Sequence, residues 1–263
     1  MLLMADNLQI TKQIVRSAVA SRDMAPIQAL VKECVDAGAD GIDINPGPLK
    51  RRPGATMRFL VEAVQSVSSC PILLDTVNAE ALAAGIAVCQ GSAIINGISL
   101  EPHKLEKIAP IAVAGDADII GYLLYPNGHV PPDAAERLNI AVELVDAVEK
   151  RGIDPTRLII DPVIVPVAWN DGNTQAWEVL EVLRHLPGLL DRPVRTIGGL
   201  SNLTSGNVQR YRKILLECAY LPMLAASGLT MVLMNMTHPE TVRIARACRA
   251  LDRNSVFTWE AIL

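Results

Sequence analysis

The feature that most constrains this sequence is an alternation, repeated eight times, of a short aliphatic segment with a longer amphipathic one. The short segments have the length and composition of strands buried on both faces, and the longer ones carry apolar residues at helical spacing. The predicted strands cover residues 2–5, 39–44, 72–75, 93–96, 118–123, 158–160, 194–197 and 229–233. Eight such units in 263 residues predict one α/β domain over residues 1–263, a closed (β/α)8 TIM barrel.

The helices between these strands are bounded by ordinary start and stop residues. The predicted helices cover residues 24–37, 57–67, 79–89, 103–114, 133–151, 174–186, 208–226 and 239–250. Asn78 is expected to cap the third helix, and Pro222 to break or kink the seventh. A doubly wound open sheet is the alternative fold. Such sheets more often carry a glycine-rich phosphate loop, and neither G-x-G-x-x-G nor G-x-x-x-x-G-K-[ST] occurs here.

Composition excludes several classes of protein. The net charge of −4 gives no excess of positive charge that would attract phosphate groups, so nucleic acid is not an expected partner. No apolar run reaches the roughly 18 residues of a membrane span, and residues 1–8 are too short for a signal sequence. The five cysteines are odd in number and form no C-x-x-C, which predicts free thiols in a reducing cytoplasm rather than a zinc knuckle or disulfides.

Polar residues follow the apolar strands at a recurring place. Asp43, Asp75, Asn96, Asp161 and Asn202 each stand at or just after the end of a predicted strand. In a barrel these ends surround one mouth, where active sites are built. The alternative for each residue alone is a helix N-cap or an Asx turn, and we expect Asn78 to be only a cap.

Asp75, Asn96 and Asp161 directly end apolar strands, so they are expected to be partly buried. A buried carboxylate needs a partner, and no arginine or lysine follows these strands closely in the sequence. A ligand rich in N–H donors would supply that partner. The amino group and ring N–H of a pteridine form an edge that a carboxylate accepts in bidentate fashion, and asparagine suits the ring's carbonyl and nitrogens.

The same segments resemble the pterin-binding methyltransferases, which move methyl groups between methyltetrahydrofolate and corrinoid proteins. The resemblance covers essentially the whole chain, in order and with similar spacing. Five runs carry it: Gly-Ala-Asp-Gly-Ile-Asp-Ile-Asn-Pro-Gly-Pro (38–48), Leu-Leu-Asp-Thr-Val-Asn (73–78), Ile-Asn-Gly-Ile-Ser (95–99), Ile-Asp-Pro (160–162) and Gly-Leu-Ser-Asn (199–202).

The resemblance implies a role for each matched residue. It implies that Asp75, Asn96 and Asp161 hold the pterin and that Asp43 lies at the edge of its pocket. It places Gly199 and Ser201 in the pterin site and brings Asn202, the catalytic residue, to N5, the methyl-bearing nitrogen. It also implies tetrahydrofolate or 5-methyltetrahydrofolate as substrate, a corrinoid protein as partner and a homodimer. Since the chain has no Asp-x-His-x-x-Gly signature, cobalamin is expected on the separate partner.

The expected chemistry needs little from the protein. A methyl group on a tertiary amine leaves only when N5 is protonated or hydrogen-bonded, and cobalt(I) is already a strong nucleophile. Orientation and N5 activation remain, and the Asn202 amide can donate to N5 without titrating. None of the four histidines has metal or triad spacing, so we expect them in loops or on the surface and expect no metal bound by this chain.

Dihydropteroate synthases share such a pterin pocket and are the nearest rival. Their cations that grip pyrophosphate have no counterpart after strands seven and eight, where only His238 carries a titratable nitrogen. A non-catalytic pterin-binding protein and a lysine Schiff-base aldolase also stay open, although no lysine lies at a predicted strand end. The sequence departs from the methyltransferase pattern after strand one, where it reads Ala-Asp-Asn-Leu-Gln (5–9), and in the loops after Asn202 and strand eight.

Overall fold

A computed structural model describes residues 1–49, 51–253 and 255–262. Its eight strands form a closed parallel barrel in chain order, and β8 pairs with β1. The strands are β1 (Leu2–Gln9), β2 (Gly41–Asn45), β3 (Ile72–Asp75), β4 (Ala93–Ile98), β5 (Asp118–Tyr122), β6 (Leu158–Asp161), β7 (Arg195–Gly199) and β8 (Met231–Met234). The predicted (β/α)8 fold is confirmed, and the open-sheet alternative is wrong because the first and last strands pair.

Helices cover the outside of the barrel. They are α1 (Gln13–Ser21), α2 (Ala25–Asp36), α3 (Pro53–Gln65), α4 (Ala79–Ile86), α5 (Pro102–Ala114), α6 (Ala134–Glu149), α7 (Gly172–Leu189), α8 (Arg210–Ala226) and α9 (Pro239–Ala250). Short 3-10 turns occupy Pro155–Arg157, Leu200–Thr204 and Trp259–Ile262. Over the described ranges, none of these helices combines the length and the hydropathy that a membrane crossing requires.

Two details of the helices differ from the prediction. The residues after β1 were expected to form a turn, yet they form α1, a short helix that buries Val15 and Ala18. Pro222 lies inside a continuous α8, so the predicted break is wrong. The flanking Leu221 and Leu224 are fully buried, and their packing holds the helix across the proline.

The core has two layers. Aliphatic residues on the outward faces of the strands pack against the helices. A second cluster fills the barrel interior beneath the mouth, from the residues Met4, Leu73, Ile94, Ile120, Ile159, Ile197 and Met231. Tyr122 and Leu233 pack on top of this cluster. The filled interior leaves the mouth as the place where polar strand ends can meet a ligand.

β1 is longer than predicted and carries an irregularity that matters for the mouth. Ala5 pairs with Ile42, and the next pair is Leu8 with Ile44, so one extra residue stands on β1. The extra residue is a β-bulge, which re-aims side chains without ending the strand. Asp6 and Asn7 fall in it, and both are buried. Their polar sequence reads like a turn, which is why the prediction ended this strand at residue 5.

Candidate active site

The carboxyl ends of the strands surround a cavity of about 160 Å³ at the barrel mouth. The seven residues predicted from the sequence all line it: Asp43, Asp75, Asn96, Asp161, Gly199, Ser201 and Asn202. The other lining residues, which were not predicted, are Asp6, Gln9, Asn45, Ile120, Tyr122, Ile197 and Leu233. Larger concavities exist, but they lie between outer helices or at the amino ends of the strands and lack this cluster of carboxylates.

A chain of hydrogen bonds crosses one wall of the cavity. The Tyr122 hydroxyl donates to Asn96 Oδ1 at 2.5 Å, and Asn96 Nδ2 donates to Asp43 Oδ1 at 3.1 Å. This chain fixes which side of the Asn96 amide faces Asp43. Tyr122 was missed although it ends β5 in register with Asp161, since a tyrosine at the end of an apolar strand is equally typical of a core residue.

Asn45 is the second partner that the sequence analysis did not single out. Its Nδ2 donates to Asp75 Oδ2 at 2.5 Å, while its Oδ1 accepts from the Gly47 amide at 3.0 Å. Gly47 has φ 62°, a conformation that glycine adopts without strain. The Pro-Gly-Pro segment that follows β2 therefore orients the Asn45 side chain toward Asp75.

Asp161 ends β6 and is held by its own loop. Its Oδ1 accepts from the backbone amide of Val163 at 2.8 Å. This leaves Asp161 Oδ2 free of any hydrogen bond from the described residues, so it is available to a ligand in the cavity. Asp161 was predicted to end its strand at the mouth, and the structure places it there.

Burial perturbs the carboxyl groups of the cavity. It raises the pKa of Asp161 to about 7, against the smaller opposing effects of the Val163 amide and the Arg137 guanidinium. It raises the pKa of Asp75 to about 6, although the Asn45 amide opposes it. The pKa of Asp43 is raised well above its usual value, first by burial and then by the neighbouring Asp75 carboxylate. These groups are short of hydrogen-bond donors, which a ligand with N–H groups would supply.

The loop after β7 brings Asn202 to the cavity as a short 3-10 turn, Leu200–Thr204. A Cβ atom built on Gly199 would lie 2.7 Å from Asn202 Nδ2, so glycine is required for the amide to occupy its place. Thr204 Oγ1 donates to the buried Glu217 Oε1 at 2.7 Å and ties the turn to α8.

Asp6 lies in the segment that departs from the methyltransferase pattern, and it lines the cavity. Its Oδ2 accepts a hydrogen bond of 2.7 Å from the hydroxyl of Ser201, the residue that precedes Asn202. Burial raises the pKa of Asp6, and the Ser201 hydrogen bond lowers it in part. The sequence signal was an aspartate in the first strand, which was interpreted as the start of a variant loop.

Three of the histidines, His103, His129 and His185, are exposed as predicted. His238 lies in the loop before α9, also as predicted, and is half-buried there with Nδ1 3.9 Å from Glu217 Oε2. Burial lowers its pKa. Among the described residues, no three histidine, cysteine, aspartate or glutamate side chains are arranged to hold a metal ion. The five cysteines are unpaired, and only Cys34 is fully buried.

The cavity therefore has acceptor-rich walls and an apolar floor of Ile120, Ile197 and Leu233. Within the described part of the chain, its lining includes no lysine or arginine. A flat heterocycle can stack on the floor while its edge N–H groups donate to the carboxylates, and the amides can serve both its donors and its acceptors.

Comparisons with known proteins agree with this chemistry. A family model described as pterin binding enzyme matches residues 11–235. The methylcorrinoid:tetrahydrofolate methyltransferase of Eubacterium limosum is 22% identical over 211 residues, which are 78% of this chain and 75% of that protein. The methionine synthase of Mycobacterium tuberculosis is 24% identical over 208 residues, 76% of this chain but only 17% of that longer protein.

Solved structures show the same barrel. The dihydropteroate synthase of Stenotrophomonas maltophilia matches with a TM-score of 0.69 at 18% identity, over 97% of this chain and 94% of that chain. A dihydropteroate synthase of Xanthomonas albilineans matches with a TM-score of 0.68 at 20% identity, again over 97% and 94%. At these identities the likeness is one of fold.

Proposed function

Since this chain belongs to the pterin-binding enzyme family, we propose that it transfers a methyl group between N5 of tetrahydrofolate and the cobalt of a corrinoid protein. The observation that carries the proposal is the cavity itself, in which carboxylates and amides converge and whose described lining contains no lysine or arginine. The similarity to a methylcorrinoid:tetrahydrofolate methyltransferase supports the choice of reaction.

The carboxylates are assigned to the pterin. Asp161 has one oxygen held by the Val163 amide, and its other oxygen accepts from the N–H edge of the pterin ring. Asp75 and the Asn96–Asp43 pair take up the remaining polar atoms of the ring. The donors of the ring return the carboxyl groups to their ionised form, which offsets the cost of burying them.

Asn202 is assigned to N5. Its amide lies in the same cavity, backed by Gly199 and carried on a turn that Ser201 and Thr204 tie down. A hydrogen bond from Nδ2 strengthens as N5 gains charge during departure of the methyl group, so it stabilises the transition state more than the bound folate. Since an amide does not titrate, the proton reaches N5 from water or a neighbouring acid.

The corrinoid supplies the cobalt that gives or takes the methyl group, and it is proposed to arrive on a separate protein. The barrel mouth is where that protein must approach, because Asn202 and N5 lie there. The loops that depart from the methyltransferase pattern, after β1, β7 and β8, border the same mouth. We propose that these loops determine which corrinoid protein binds. We also propose that the reaction takes place in the cytoplasm.

The rival synthase activity fits the cavity less well. A departing pyrophosphate needs cationic groups, and the described lining residues carry none. The dihydropteroate synthase matches are matches of fold, which unrelated chemistries share. A Schiff-base aldolase needs a lysine in the cavity, and the same lining contains none.

We also propose a homodimer formed through α8. Tyr211, Leu215 and Leu216 on this helix are 63%, 66% and 41% exposed, and all lie on its outer side. Arg212 lies beside them, with its guanidinium over the Tyr211 ring. An outer barrel helix is ordinarily polar where it meets water, so a cluster of exposed tyrosine and leucine side chains is typical of an association surface. A second copy of the chain, related by two-fold symmetry, would cover it with the same face.

The function is tested by mixing the purified chain with 5-methyltetrahydrofolate and free cob(I)alamin under anaerobic conditions. Methylcobalamin should form, and the reverse reaction should regenerate methyltetrahydrofolate. Binding of tetrahydrofolate without turnover would instead indicate a non-catalytic pterin-binding protein. Condensation of a pterin pyrophosphate with 4-aminobenzoate would favour the synthase.

A further inference from the structure

Arg137 on α6 is a fully buried arginine whose side chain reaches the loop that follows Asp161. Its Nη1 donates to the carbonyl of Pro162 at 2.8 Å and to that of Val163 at 3.3 Å, while its Nε donates to the carbonyl of Pro131 at 3.2 Å. Its Nη2 donates to Gln175 Oε1. Two of the four acceptors are thus in the loop that immediately follows Asp161.

This guanidinium is buried on neutral acceptors alone. In the described residues, no carboxylate oxygen lies within ion-pair distance of it. Burying a charge in this way is costly, and the cost is offset here only by hydrogen bonds to neutral groups. Two of these bonds go to the 162–163 backbone, so this backbone is what the arginine holds on the side of Asp161.

The 162–163 backbone needs such support. Val163 has φ 65°, in the left-handed region that β-branched residues avoid. Its strained conformation is what points its amide at Asp161 Oδ1, 2.8 Å away. Strain of this kind persists only when the surroundings hold it, and it concentrates at ligand sites.

From this geometry we propose that Arg137 is a positioning residue, which holds Asp161 in its ligand-binding orientation by clamping the carbonyls of Pro162 and Val163. Its charge has a second effect on the same carboxyl group, because it opposes the burial that raises the pKa of Asp161. The other groups that face Arg137 electrostatically are Asp133 at the start of α6, Glu178 on α7 and the Tyr220 hydroxyl on α8. The identity of the ligand, a pterin, rests on the proposed function.

Two substitutions separate the clamp from the charge. Arg137→Lys keeps the charge but cannot reach both carbonyls and Gln175, so tetrahydrofolate affinity should fall roughly tenfold, about the effect of one lost hydrogen bond. Val163→Gly in that background removes the strain and should restore part of the lost affinity, since the relaxed loop needs no clamp. Arg137→Met removes the charge as well, so the pKa of Asp161 should rise and tetrahydrofolate affinity should recover as the pH is raised from 7 to 9.

Affinity is measured by calorimetry at several pH values, and the pKa of Asp161 by NMR of carboxyl-labelled aspartate in the ligand-free protein. Arg195→Met is the matched control, because Arg195 also donates to a backbone carbonyl, that of Thr156, but it lies at the amino end of β7 and pairs with the Asp118 carboxylate. It should lower stability and leave the pKa of Asp161 and the affinity unchanged.

The proposal that Arg137 clamps the 162–163 backbone is overturned by either of two results. One is wild-type tetrahydrofolate affinity in Arg137→Lys, and the other is a failure of Val163→Gly to restore any of the affinity that Arg137→Lys loses. If Arg137→Met does not fold, the lysine and glycine variants decide the question alone. If the wild-type protein does not bind tetrahydrofolate, the proposed function has failed. The clamp is then judged from the NMR signal of Asp161, whose chemical shift and pKa should move in Arg137→Met and not in Arg195→Met.

Discussion

The Tyr122 hydroxyl donates to Asn96 Oδ1 at 2.5 Å and thereby fixes the Asn96 amide with its Nδ2 toward Asp43. Tyr122→Phe removes the donor and frees the amide to rotate. We expect tetrahydrofolate binding to weaken by about 1 kcal/mol, the net value of one hydrogen bond, with little loss of stability because the ring stays in place. Calorimetry measures the affinity.

Tyr220→Phe is the control for that variant. Tyr220 donates to the Ala176 carbonyl at 2.6 Å, outside the cavity. Its loss should lower the free energy of unfolding and leave binding unchanged. Equal effects of the two variants on affinity would show that the Tyr122 hydrogen bond has no special relation to the ligand.

Asn202→Ala should lower the rate of methyl transfer by roughly ten- to a thousandfold, comparable to the loss of one transition-state donor. Gly199→Ala should act in the same direction, because its Cβ would lie 2.7 Å from Asn202 Nδ2 and displace the amide. Folate affinity should change less than the rate in both variants. Transfer to and from cob(I)alamin is measured alongside binding.

Gly188→Ala serves as the control for Gly199→Ala, since a Cβ on Gly188 in α7 meets no atom within 4 Å. It should transfer methyl groups at the wild-type rate. Normal turnover in Asn202→Ala would show that this residue only shapes the turn, and N5 activation would then have to come from another group.

Asp161→Asn should stabilise the ligand-free protein above neutral pH and weaken its binding. The pKa of Asp161 is about 7 in the folded protein against 3.8 as the reference, so its ionisation lowers stability as the pH rises through that interval. The variant should match wild type below about pH 4 and exceed it by about 2–4 kcal/mol above pH 8. Tetrahydrofolate binding should weaken by about 1.5–3 kcal/mol.

Urea titrations at several pH values measure the difference in stability. Asp36→Asn, at an exposed position on α2, should change the free energy of unfolding by less than about 0.5 kcal/mol. A difference between Asp161→Asn and wild type that grew toward low pH would contradict the burial of an ionised carboxylate.

Folate binding should release protons near neutral pH. The pKa values of Asp161 and Asp75, about 7 and about 6 in the empty cavity, should fall when N–H donors of the ligand approach. Affinity should therefore increase from pH 5.5 to pH 8. Calorimetry at pH 6.5 in buffers of different ionisation enthalpy counts the released protons. Proton uptake on binding would contradict the assignment of Asp161 and Asp75 to the N–H groups of the pterin.

Tetrahydrofolate binding should also persist after metals are removed with a chelator.

Leu215→Glu should convert a dimer into a monomer. Leu215 is 66% exposed on the outer side of α8, so a carboxylate there would bring a charge into the apolar contact between the two copies. Sedimentation at micromolar concentration should show a dimer for wild type and a single 28.3 kDa species for the variant. A monomeric wild-type protein would rule out the dimer at that concentration.

The alternation of strands and helices was sufficient to predict the closed barrel. The periodicity of apolar residues is visible in each local segment, and it determines which face of that segment is buried in the barrel. The same is true of the convergence of Asp43, Asp75, Asn96, Asp161 and Asn202, which follows once parallel strands place their carboxyl ends at one mouth. The match to a pterin-binding family over residues 11–235 agrees with the resemblance of the strand-end segments.

Other parts of the site were decided only by the tertiary structure. Asn45 and Tyr122 form their hydrogen bonds with residues of neighbouring strands. Asp6 reaches the cavity through a β-bulge, although its polar sequence is typical of a turn. Arg137 stands 24 residues before Asp161 on a different element, so no inspection of strand ends could find it. Hydrogen-bond partners and pKa shifts depend on distance and burial between residues far apart in the chain, and only the folded barrel defines these.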